Sequence, residues 1–138
     1  MEGYKKALAD HHLKSNQADI VFCGNDIDEN FSIIKNALNR DKRPDGIIAC
    51  VEKFTSSIYL ACKDLKLSIP DDIKVISFTN LQTALILNPP LTTVTQPAFE
   101  MGKTAASVLF KTLDKNSTSL KNETVIIPSI LNIRYSSS

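Results

Sequence analysis

Few residue groupings in this chain have the types and spacing for chemistry. His11 and His12 are adjacent; on a helix their side chains diverge by roughly 100° and cannot clamp one metal ion between them. Asp71 and Asp72 follow Pro70, a turn setting in which aspartates accept backbone hydrogen bonds. The cysteines number three, Cys23, Cys50 and Cys62, each in an apolar context. Such a set predicts buried, reduced thiols and neither a disulfide framework nor a metal site. No P-loop, GxGxxG, HExxH or GxSxG pattern occurs, and no nucleophile–base pair marks an enzyme. Hence no catalytic residue, metal ligand or cofactor is assigned. What remains are polar residues placed directly after short apolar runs: Gly24, Asn25 and Asp26, then Glu52 and Lys53, then Thr79 and Asn80.

Those runs are the elements that would position them. Residues 18–24 (ADIVFCG), 45–51 (DGIIACV) and 74–78 (KVISF) are short and apolar throughout, as strands covered on both faces are. Between them lie two helical patterns. Phe31, Ile34 and Leu38 mark the first, with Asp28 as its expected N-cap; Ile58, Ala61, Cys62 and Leu65 mark the second. An earlier helix is expected over residues 3–13. Strand, helix, strand, helix, strand with short loops predicts a parallel α/β sheet with right-handed crossovers. The carboxyl ends of its strands then face one side, where ligands of open parallel sheets bind.

The sheet so predicted is complete before residues 88–102, NPPLTTVTQPAFEMG, begin. Pro89 and Pro90 form a rigid turn, 92–95 favour a strand, and Pro97 suits the first turn of a helix. Phe99, Ala106, Leu109 and Leu113 line one side of that helix, which therefore needs a surface to pack on. A polar loop follows over 115–123, then an extended run over 124–135 broken by Pro128, expected to be two strands in two places. With 138 residues, 43% hydrophobic and 22% charged, the chain has the composition of one soluble globular domain. A net charge of +1 gives no footprint for nucleic acid. No apolar run approaches a membrane span, and the opening residues lack an apolar signal core; a cytoplasmic location is expected.

In order, the segments PDGIIAC, ACKDLKLSIPDDIKVISF and NPPLTTVTQPAFEMGKTAASVLF resemble the effector-binding core of LacI/GalR-type transcriptional regulators. The likeness covers essentially the whole chain and is most specific from Pro89 to Gly102. EGYKKAL looks like the family's Arg-x-x-Gly-Tyr segment, taken up after the arginine. The resemblance implies an α/β, three-layer α/β/α fold of the periplasmic-binding-protein-like type I, here incomplete and mostly one of two lobes. Residues 1–93 would belong to the C-terminal lobe, 94–128 to a crossover with a helix and strand of the N-terminal lobe, and 129–138 to the return. The helix after Pro97 would have its sheet in that other lobe.

The resemblance also implies a site. The family's effector-contacting arginine would fall just before Met1; an aromatic position corresponds to Asp26. The Asn and Asp of its Asn-Asp pair correspond to Val51 and Glu52, and the Asp after its third strand to Thr79, followed by Asn80. Gln96 at the crossover is retained. Asp26, Val51, Glu52, Thr79, Asn80 and Gln96 are therefore the candidate ligand-binding residues. Val51 and Thr79 cannot make the bidentate contacts of the residues they replace, which argues against a simple neutral sugar. The function implied is sensing of a small-molecule effector, a sugar or sugar derivative, by a homodimeric regulator. DNA would be contacted only through a head outside this chain. The alternatives are a regulator module gated by a protein partner and a solute-binding protein. Residues 84–87 (ALIL) offer a dimer contact or, alternatively, a loop folded back on the chain's own core.

Overall fold

The structure is a computed structural model and describes residues 1–14, 16–114 and 124–138. Its α-helices are α1 (Glu2–Asp10), α2 (Ile27–Leu38), α3 (Phe54–Asp64) and α4 (Ala98–Asp114). Its strands are β1 (Gly46–Ala49), β2 (Lys74–Phe78), β3 (Thr92–Thr95) and β4 (Ile130–Asn132), in the sheet order β1-β2-β3-β4. The first two pairings are parallel and β3–β4 is antiparallel, so the α/β fold is the expected one with a mixed sheet. The proline turn delivers β3 to the edge of β2, with Ile76 opposite Thr92; the sheet is not complete before it.

The core lies on one face of that sheet. Ile34 and Leu38 of α2, Ile58, Ala61 and Cys62 of α3, and Ala49, Ile73, Val75 and Leu91 are buried together, each helix presenting the stripe its spacing predicts. On β1 and β2 burial alternates: Ala49, Val75 and Ser77 face the core, while Ile48 and Phe78 on the other face meet solvent. Helix α4 packs broadly on none of these elements, and its expected apolar side is open, with Phe99 79% exposed.

Two expected strands are not strands. Residues 20–24 form no ladder with β1. The Ala18 carbonyl instead accepts from Arg40, and both backbone groups of Gly24 bond to the Asn30 side chain. Side chains thus take the groups a ladder would use, and Val21 and Phe22 are exposed. Residues 124–127 have no ladder partner among the described residues, and Ile126 is exposed. The loop over 115–123 lies outside the described residues. Two smaller expectations also fail. The cap of α2 is Asp26, not Asp28: its Oδ1 accepts the Glu29 N–H at 2.8 Å. Cys50, one residue past β1, is exposed and not a buried thiol.

The final serines are more than a tail. Ser136, fully buried, donates its hydroxyl proton to the Val75 carbonyl at 2.6 Å and accepts the Thr92 N–H at 2.8 Å. Arg134 donates to the Leu91 carbonyl and to the Thr93 hydroxyl. These bonds bind the chain's last residues to the middle of the sheet.

Candidate functional site

The carboxyl ends of β1, β2 and β3 bring most of the expected site residues into one polar belt. After β1, Val51 and Glu52 lie in the turn that opens α3, and both are exposed. The Thr79 hydroxyl donates to Glu52 Oε2 at 2.8 Å, and its oxygen accepts the Leu81 N–H at 3.0 Å. Thr79 is 6% exposed, so both hydrogen-bonding functions of its side chain have protein partners. Asn80 does the same for the crossover after β3. Its amide nitrogen donates to the Gln96 carbonyl at 2.8 Å and its amide oxygen accepts the Gln96 N–H at 3.0 Å. That leaves the Gln96 side chain at the rim, exposed.

Lys53 joins the segment before α2 to this belt. Its ammonium donates to the Gly24 carbonyl at 2.9 Å and to Asn25 Oδ1 at 3.0 Å, and lies 5.2 Å from the Phe54 ring centroid. Asp26 stands beside this junction with one oxygen engaged in capping α2. Burial pushes the Cys23 thiol up despite the opposing pull of the Lys53 ammonium, so Cys23 stays protonated and is not a nucleophile at neutral pH.

Asn30 is the residue the sequence reading missed. It lies on the same stripe as Ile34 and Leu38 and is buried with them, while its amide grips the Gly24 N–H and C=O. The available signal was an amide in the core register of an amphipathic helix, where a buried polar group requires a partner. Among the described residues no group of His, Cys, Asp or Glu is arranged to hold a metal ion. A cavity of 20 Å³ beneath the belt, lined by Thr55, Thr79, Leu81, Ala84 and Leu91, has room for about one water. No described helix is long and apolar enough to cross a membrane.

Comparison with known proteins places this mixed sheet, with polar side chains gathered at its carboxyl edge, in a known family. The chain belongs to the periplasmic binding protein-like domain family, whose description matches residues 1–137. Within it, the chain is similar to the corresponding region of bacterial transcriptional regulators. It is 31% identical over 115 residues to the probable HTH-type transcriptional regulator EndR of Paenibacillus polymyxa, covering 83% of this chain and 33% of that protein. It is 30% identical over 111 residues to the ribose operon repressor of Haemophilus influenzae, covering 80% and 33%. It superposes on a transcriptional regulator CelR–cellobiose complex with a TM-score of 0.85 at 20% identity, covering 98% of this chain and 41% of that one. The chain spans about a third of the length of the curated relatives it matches.

Proposed function

We propose that this chain is the sensing region of a cytoplasmic, non-enzymatic transcriptional regulator, and that it takes a polar small molecule at the carboxyl edge of its sheet. The observation that carries this reading is the belt itself. Glu52, with one carboxylate oxygen engaged by Thr79, keeps its other oxygen for a ligand hydroxyl. Asp26 likewise has one oxygen on its cap. The Gln96 side chain adds an amide, and Val51 an apolar contact. Carboxylates accept from hydroxyls and amides both donate and accept, which suits a polyol. Thr79 and Asn80 serve the site from behind, by fixing Glu52 and Gln96.

The relative named for a ribose operon and the cellobiose in the CelR complex support a carbohydrate or carbohydrate derivative as ligand class. In this reading the occupied site biases one of two arrangements of the whole regulator through differential affinity. DNA is met by a head outside the sequence described, and two copies associate. The test is a thermal-shift panel on the chain with ribose, cellobiose, sucrose, uronic acids, sugar phosphates and nucleosides at millimolar concentration. A ligand at a hundred times its dissociation constant adds roughly 2.7 kcal/mol. At least one class is expected to raise the midpoint, and Glu52→Ala to abolish the rise. Silence across the panel would reject the small-molecule reading and favour gating by a protein partner.

A further inference from the structure

Gln96 is the last residue before the turn into α4, and its backbone is gripped from outside its own segment. The carbonyl accepts the Ala98 N–H at 2.8 Å, which shapes the start of α4, and also the Asn80 amide at 2.8 Å. The Gln96 N–H donates back to Asn80 at 3.0 Å. Because α4 packs broadly on no other described element, this grip helps decide the direction in which α4 leaves the sheet. Asn80 is in turn placed by its neighbours. The Thr79 hydroxyl accepts the Leu81 N–H, closing a turn around Asn80, and points its proton at Glu52.

We infer that Glu52, Thr79 and Asn80 form a relay in which the exposed carboxylate orients the Thr79 hydroxyl, the hydroxyl holds the turn, and the turn presents Asn80 to the backbone of Gln96. Glu52 and Thr79 are thus positioning residues for the root of α4. The inference deepens the sensing reading, on which it rests for its use: a ligand group that draws on Glu52 acts on the carboxylate that sets the exit of α4. A relay through one hydroxyl also explains how Thr79, which cannot make a bidentate contact, serves a site of this kind.

Amide hydrogen exchange of the full chain, read by NMR at Gln96 and Leu81, tests the relay without any ligand. Failure here is therefore distinct from silence in the ligand panel. Asn80→Ala is expected to speed exchange at Gln96 roughly fivefold, the loss of about one hydrogen bond. Glu52→Ala and Thr79→Val are expected to speed exchange at both Leu81 and Gln96. Glu52→Gln, which keeps an oxygen for the Thr79 proton, and Thr79→Ser, which keeps the hydroxyl, are expected to restore the native rates. Ladder amides of β1 and β2 should not change. If Asn80→Ala alone speeds Gln96 while Glu52→Ala leaves it unchanged, Asn80 acts by itself and the relay is wrong. Should Thr79→Val fail to fold, Glu52→Ala, at an exposed position, decides the matter alone.

Discussion

Ser136 shows how much one hydroxyl carries in this chain. It is fully buried, with one partner on β2 and one on β3. Ser136→Ala leaves a buried carbonyl and a buried N–H each without that partner, so a loss of about 1–3 kcal/mol is expected in urea unfolding. Tyr59 is a second such residue. Its hydroxyl donates to the Pro89 carbonyl at 2.8 Å, and burial pushes its phenol up to about 12. Burial likewise pushes the Cys62 thiol up to about 11. Both groups lose their protons more readily when unfolded. Their contribution to stability is therefore whole below pH 9 and lost progressively as pH rises from 9 to 12. Unfolding midpoints across that range should fall, and fall less in Tyr59→Phe. At this scale the sequence was only partly legible. Nothing in the order of the three final serines told that the first, Ser136, faces the core. Thr79 and Asn80 were found by position after an apolar run, yet their partners across the chain, Glu52 and Gln96, come only from the fold.

The helices show which elements can be read locally. For α2 and α3 the apolar spacing named the buried stripe, because 3.6-residue periodicity records which side meets the core. The cap of α2 was misplaced by two residues because Asp26 and Asp28 are both good caps; the turn after Gly24 decides between them. The failed strands at 18–24 and 124–127 share a cause: apolar runs predict extended chain, while a strand exists only where a neighbour supplies hydrogen bonds. The end of α3 supplies a prediction at this scale. Lys66 has a left-handed backbone, φ 57°, and the Leu67 N–H closes back on the Cys62 carbonyl at 2.8 Å. Glycine adopts this conformation without Cβ strain. Lys66→Gly should therefore raise unfolding stability by about 0.5–1 kcal/mol; an unchanged or lowered value would show that the lysine stem matters more than its backbone.

At the scale of the whole molecule, apolar surfaces that stay open include the side of α4 and the loop before the proline turn. In residues 84–87 the structure separates what the sequence joined. Ala84 and Leu87 turn toward the core, while Leu85 is exposed and Ile86 is 81% exposed. If two copies meet through this loop, Leu85→Ala and Ile86→Ala together should raise the dimer dissociation constant at least tenfold in sedimentation, about 1.4 kcal/mol. A mass unaffected by the pair would dismiss the loop as the contact. The family was legible in the order of segments because the turn–strand–crossover–helix run from Pro89 to Gly102 is both long and specific. The site was less legible, since Asp26, Val51 and Thr79 depart from the pattern that would have named a ligand.

The most direct test of the sensing claim is where a ligand lands. Amide chemical shifts of the chain should be followed while titrating in the sugar or sugar derivative that gives the largest thermal shift, or ribose and cellobiose in turn if none does. Shifts are expected to concentrate at Asp26, Val51, Glu52 and Gln96, on the carboxyl edge of the sheet. Shifts confined to the opposite edge, around Asp45, Asp72 and Lys74, would contradict it, as would a spectrum unmoved by every compound of the panel.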